Sequence, residues 1–311
     1  GAGTDTIIGD NGVVTLNDAT QIHATNAATA GLVNIQIVSN VTLSDGSGNL
    51  DQIGGDDVIT GGTGDKNIIG GYGADQITVG AGNHILVGDN AQVDYDKVTY
   101  TGRVVKYQTT DTVSATGGVD VINVTGDGNN TVLGGVAGDT ITTAGGTDTI
   151  IGDNGVVTLN EANAVSGLLA GSVYVQIVSN LTLSDGSGTL DQIGGADTIT
   201  AGSGAKNVIG GFGADVIKAG VNTSTGAAVG GSATRIMVGD NARVDYDTVT
   251  YTGKVVSYRT TDTVASTGAG DTIWGGDGVN TILGGVGGDQ IRSGAGTDTI
   301  IGDNGVVTLN D

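Results

Sequence analysis

Aspartates spaced nine residues apart, each preceded by glycines and followed two places later by an aliphatic residue, are the residues of this sequence that can do chemistry. The clearest instance is Gly70-Gly71-Tyr72-Gly73-Ala74-Asp75-Gln76-Ile77-Thr78, which fits G-G-x-G-x-D-x-U-x at every fixed position, U being bulky and apolar. Glycine reaches backbone conformations closed to other residues, so the first half can turn tightly with its carbonyls converging. The aspartate adds a charged oxygen to those carbonyls, and that donor set suits a hard cation such as calcium. The last three residues read as a short strand with Ile77 pointing inward.

The nonad recurs in phase. Asp57, Lys66, Asp75 and His84 are followed two residues later by Ile59, Ile68, Ile77 and Leu86. Asp197, Lys206 and Asp215 are followed by Ile199, Val208 and Ile217, and Asp271, Asn280, Asp289 and Asp298 by Ile273, Ile282, Ile291 and Ile300. Asn130, Asp139 and Asp148 form the matching series in the first half, with Asp120 one residue out of step. In this ladder the chain resembles the RTX, or hemolysin-type, calcium-binding nonapeptide repeat proteins, including giant secreted adhesins and surface proteins.

The resemblance implies a β-roll with two nonads per coil. Asp57 then stacks on Asp75, Asp197 on Asp215, Asp271 on Asp289, Asn280 on Asp298 and Asn130 on Asp148. Those edges, with Asp139, are expected to bind calcium through the carboxylates and the carbonyls of the glycine turns. The opposite edge pairs Lys66 with His84 and Lys206 with Arg235. An ammonium cannot ligate a cation, but it can take the cation's place and cap the same carbonyls. A Gly-Asp-Asn-Gly/Ala turn at Asp10, Asp89, Asp153, Asp240 and Asp303 reads either as a further calcium loop or as a coil-to-strand turn.

The elements that must hold these residues follow from composition. The chain has 311 residues with 60 glycines, no proline or cysteine, and one each of Trp, Phe and Met. Aromatics at 3% cannot fill a thick core, while 37% hydrophobic residues exceed what disorder needs. A thin stacked core of Ile, Val and Leu meets both facts. The fold expected is all-β: a parallel β-roll or β-helix solenoid with strand-rich or hairpin inserts. The net charge is −22, and Glu161 is the only glutamate. Stacked carboxylates without cations would repel one another. No basic stripe is present to meet phosphates, so nucleic acid is not an expected partner. No apolar run suits membrane insertion.

The sequence is also a tandem array. Thr4-Asp5-Thr6-Ile7-Ile8-Gly9-Asp10-Asn11-Gly12 returns at Thr147 and Thr297, and residues 1–18 are identical to 294–311. The expected division is a first long repeat over 1–146, a second over 147–296, and the start of a third at 297–311, within something longer. Residues 93–113 read as a β-hairpin turning at Thr101-Gly102, or Thr252-Gly253 in the second copy. Residues 41–43 read as strand, 44–48 as a turn, and 162–169 as the only helical stretch. The residues inserted between Gly220 and Gly239 read as a surface loop, and Asp94, Asp96, Asp245 and Asp247 as solvent-facing.

No catalytic constellation stands out. His23 has no counterpart in the second copy, and His84 is replaced there by Arg235. Glycosidase chemistry needs two carboxylates in different environments, whereas the aspartates recur in the same one. Flat threonine arrays of the kind that bind ice are not expected, since the positions after the ladder residues read Val58, Asn67, Gln76 and Ile85. The reading is a calcium-stabilised structural rod of an extracellular or cell-surface bacterial fibre, surface layer or matrix, with copies of itself as partners. The alternatives are the stalk of a giant adhesin and a non-catalytic module of a polysaccharide-modifying enzyme.

Overall fold

In the computed structural model, alternation along each short strand decides the architecture. The structure describes residues 1–17, 33–39, 54–96, 103–111, 115–161, 172–179, 193–249, 254–262 and 265–309. Its strands form two parallel sheets and one antiparallel sheet, stacked as three layers.

The central sheet holds nine parallel strands, beginning at Asp5–Ile8, Lys66–Ile69 and His84–Val87 and ending at Val279–Leu283 and Thr299–Ile301. The outer sheet holds eight, from Val58–Thr60 and Gln76–Val79 through Val216–Ala219 and Thr272–Gly275 to Gln290–Arg292. Within a tract Val58 lies against Gln76 and Lys66 against His84, the two-nonad register. Ile59, Ile77, Ile122, Ile141, Ile199, Ile217 and Ile273 point from the outer sheet onto Ile68, Leu86, Val132, Ile150, Val208, Met237 and Ile282 of the central one. This thin aliphatic seam is the β-roll core, and it contains no aromatic residue.

The hairpin segments do not interrupt the solenoid. Nine strands, Gly12–Asn17, Val33–Ser39, Ala91–Tyr95, Val104–Thr109, Gly155–Glu161, Ser172–Ser179, Ala242–Tyr246, Val255–Thr260 and Val306–Thr308, join into one antiparallel flanking sheet. It covers the far face of the central sheet. There Ile69, Val87, Leu133, Ile151, Ile209, Val238 and Leu283 meet Ile37, Val93, Val157, Ile177 and Val244. Four tyrosine hydroxyls pin the layers: Tyr95 accepts from Asn67 (2.9 Å), Tyr246 accepts from Asn207 (2.8 Å), Tyr107 donates to Thr131 (2.7 Å) and Tyr258 donates to Thr281 (3.0 Å). Central-sheet strands are therefore apolar on both faces, and Tyr95, Tyr107, Tyr174, Tyr246 and Tyr258 all belong to the core between the central and flanking sheets.

All three sheets pass through the boundary between the long repeats. Thr140–Thr143 pairs with Thr198–Ala201, Gly146–Asp153 with Lys206–Gly211, and Val104–Thr109 with Gly155–Glu161. Within the segment between Gly220 and Gly239, residues 222–233 leave the stack as a largely exposed loop, Thr234–Asp240 returns to the central sheet, and Lys206 lies beside Arg235 as expected. The hairpins form as read. Their tips at Thr101-Gly102 and Thr252-Gly253, residues 41–48, His23 and residues 162–169 lie outside the described residues. Among the described residues no helix is long and apolar enough to cross a membrane.

Candidate metal centre

Each coil passes two edges, and their chemistry is opposite. At the edge entering the outer sheet stand Asp57, Asp75, Asp120, Asp139, Asp197, Asp215, Asp271 and Asp289, one per coil. The turns before them need glycine: Gly71 (φ 120°) and Gly73 (φ 116°) lie in the left-handed region, where a β-carbon is strained. Each of these aspartates but Asp57 uses Oδ1 to accept the backbone N–H of the preceding ladder aspartate, at 2.6–2.9 Å. In all eight, Oδ2 is shielded from solvent and has no hydrogen-bond partner. Orphaned buried carboxylate oxygens are costly, and eight in one row point to a missing cation.

The surroundings fit one. A β-carbon added to Gly70 would collide with both Asp75 Oδ2 and the carbonyl oxygen of Gly88. The same pairing of an orphaned oxygen with a glycine carbonyl recurs at Gly9, Gly88, Gly134, Gly152, Gly210, Gly239 and Gly284. Each cradle thus joins one carboxylate to a carbonyl from the next coil, an all-oxygen donor set suited to calcium. Among the described residues no three His, Asp or Glu side chains converge, so an ion here draws on the backbone for much of its shell.

Burial pushes the carboxyl groups of Asp75, Asp120, Asp139, Asp197, Asp215, Asp271 and Asp289 above their usual range. Asp75 and Asp271 rise to about 7, Asp120 and Asp197 to about 8 and Asp215 to about 9. Neighbouring carboxylates add to the effect at Asp75, Asp120, Asp215 and Asp271. Asp139 is driven up by burial and by the charges of Asp197 and Asp120.

Asp10, Asp89, Asp153 and Asp240 sit beside this row but are differently occupied. Both oxygens of each accept backbone N–H groups from two other turns: Gly55 (3.2 Å) and Tyr72 (2.6 Å) for Asp10, Gly118 and Val136 for Asp89, Gly195 and Phe212 for Asp153, Ala269 and Val286 for Asp240. This bracing by backbone N–H groups, where the chain leaves for the flanking sheet, fits the coil-to-strand reading of the Gly-Asp-Asn turn. Asn90 completes it by donating to Asp111 at 3.0 Å, and Asn241 by donating to Asp262 at 3.1 Å. Asp303 is exposed.

At the other edge, entering the central sheet, the column reads Asp5, Lys66, His84, Asn130, Asp148, Lys206, Arg235, Asn280, Asp298. Lys66 Nζ donates to the carbonyls of Gly3 (2.5 Å), Thr63 (2.8 Å) and Gly64 (3.2 Å) and pairs with Asp5 at 3.1 Å. Lys206 Nζ caps Ala144 (3.2 Å) and Gly146 (3.1 Å) and is ion-paired with Asp148. Arg235 reaches the Asp277 carbonyl at 2.7 Å, and His84 Nε2 lies 3.1 Å from that of Gly80. Side-chain cations occupy this edge at Lys66, Lys206 and Arg235. Asp148, a calcium candidate by sequence, has its oxygens engaged by Asn130, Thr143 and Lys206, and Asp298 accepts twice from Asn280. Replacing Lys206 by Met strands a fully buried carboxylate, so Lys206→Met is expected to cost about 3–5 kcal/mol in denaturant titration. Replacing Gly152 by Ala fills the Asp197 cradle, so calorimetry of Gly152→Ala should find one fewer calcium per chain.

Asp120 is the ladder residue that spacing missed. Its Asp120-Val121-Ile122 fits the motif, and the extra residue falls downstream: Gly128 is back in register with Gly146.

A two-sheet parallel roll with Asp-Gly cradles along one edge defines a calcium-binding repeat solenoid. The RTX calcium-binding nonapeptide repeat (four copies) matches residues 53–86, 124–159, 194–221, 260–291 and 274–309, which fall on the coils just described. These stretches are RTX-type calcium-binding nonapeptide repeats, and repeats of this kind bind calcium ions. No curated protein and no solved structure matches the chain.

Proposed function

We propose that this chain is a calcium-stabilised structural rod segment of a secreted bacterial fibre, surface layer or matrix, working at the cell surface through contacts with copies of itself. The observation that carries the reading is the continuity of three sheets through both long repeats. Nine strands at about 4.8 Å make a stack roughly 40 Å long, without a hinge between repeats. RTX repeat proteins are typically secreted, and millimolar extracellular calcium matches the ~10⁻⁴–10⁻³ M affinities of extracellular modules. Neither nucleic acid nor insertion into a membrane is part of this role. Electron microscopy and sedimentation of the full-length native protein in calcium test it. Ordered lateral or end-to-end assembly, dispersed by chelator, is the expected result. Isolated monomeric rods in calcium would instead favour an adhesin stalk.

A further inference from the structure

The outward face of the outer sheet is chemically unlike the rest of the molecule. On its eight strands every outward residue is Val, Thr, Gln or Asn except Lys218, Trp274 and Arg292, and none is a carboxylate. This holds in a chain of net charge −22. Lys218, Trp274 and Arg292 are consecutive in one column, Lys218 opposite Trp274 and Trp274 opposite Arg292. The Arg292 guanidinium carbon lies 5.1 Å from the Trp274 ring centroid, and the three surround a hollow of about 350 Å³ bordered by Thr272 and Gln290 and floored by Ile273.

The internal duplication supplies a control. The ladder aligns Asp75 with Asp215, Asp120 with Asp271 and Asp139 with Asp289, so the first long repeat has Thr78, Asn123 and Thr142 at the three equivalent positions. One scaffold thus carries Thr, Asn, Thr in one copy and Lys, Trp, Arg in the other. Three neighbouring outward positions changed together, and neither the core nor the calcium edge requires the change.

We propose that this column is a binding site for an acidic polysaccharide, of the uronate class. The two cations are separated by two strand spacings, roughly 9–10 Å, the span of two hexuronate residues, and each can hold a carboxylate by charge-assisted hydrogen bonds. The indole between them offers an apolar surface with a polar edge to the ring face of a sugar. Thr272 and Gln290 meet hydroxyl groups, and the threonine-rich face continues the track. No carboxylate stands on this face to oppose a polyanion. A second copy in the same position would oppose like charges.

Trp274 is the only tryptophan, so its fluorescence reports on the site directly. The full chain in saturating calcium is titrated with oligogalacturonate and, separately, with a neutral malto-oligosaccharide of equal length. The expected result is a saturable emission change with the uronate alone, weakened at least tenfold in Lys218→Thr/Arg292→Thr. Those substitutions are borne by the same scaffold in the first repeat and leave the calcium edge intact. Installing the triad there, as Thr78→Lys/Asn123→Trp/Thr142→Arg, should add a second site of similar affinity. No emission change, equal response to the neutral sugar, or undiminished uronate binding by the double variant overturns the proposal. So does a change that depends on protein concentration without sugar, which would assign the face to self-association.

Discussion

In excess chelator at pH 8, the chain is expected to lose most of its β-sheet circular dichroism and to regain it when millimolar calcium is restored. The expectation rests on the eight orphaned Oδ2 atoms along one edge. A buried charge without a partner costs several kcal/mol even after relaxation. A whole domain has only about 5–15 kcal/mol of net stability. Even about 2 kcal/mol for each such carboxylate exceeds that margin. The flanking sheet cannot hold the structure alone, because one of its faces packs on the central sheet. The opposite edge has side-chain cations built in at Lys66, Lys206 and Arg235, so the collapse is expected to start at the aspartate edge. Ordered β structure of unchanged amplitude in chelator would sink this account, and calcium would then be an adornment of a self-sufficient fold.

The solenoid itself was legible because its repeat is a physical period. Gly-Asp-x-Ile places turn, ligand and core residue at fixed offsets, and stacking at two nonads follows once the coil has two sheets. The pairing of Lys66 with His84 and of Lys206 with Arg235 could be read across a long loop for the same reason. The flanking sheet as a single layer was not legible. Its strands come from segments far apart in sequence, and alternation in residues 91–95 shows a buried face without showing what covers it. The outward partner of Ile69, Val87 and Ile151 was equally hidden, since strands apolar on both faces give no alternation. That a lysine from another coil, Lys206, arrives beside Asp148 was hidden as well, since sequence spacing alone does not show it. The Lys218–Trp274–Arg292 column was invisible for a further reason: its members lie in three nonads separated by hairpin and loop segments, and only the register brings them together.

Acid should replace calcium. Burial raises the carboxyl groups of Asp75, Asp120, Asp197, Asp215 and Asp271 to values between about 7 and about 9 in the folded chain, against about 3.9 when unfolded. For groups raised on folding, the folded state binds more protons than the unfolded state between the two values. Their contribution is therefore fully present below about pH 4 and is lost as pH climbs through 7 to 9. In chelator, the metal-free chain is accordingly expected to keep its sheets at pH 5 and to lose them by pH 8, with thermal melts followed by circular dichroism reporting the change. Calcium binding near pH 7.5 must then expel protons, since an ion and a proton compete for the same Oδ2. Calorimetry in two buffers of different ionisation enthalpy measures that release, and it should shrink when Asp197→Asn removes one titrating group. A metal-free chain as stable at pH 8 as at pH 5, or calcium uptake with no proton release, would mean that the aspartates are ionised and satisfied without the ion.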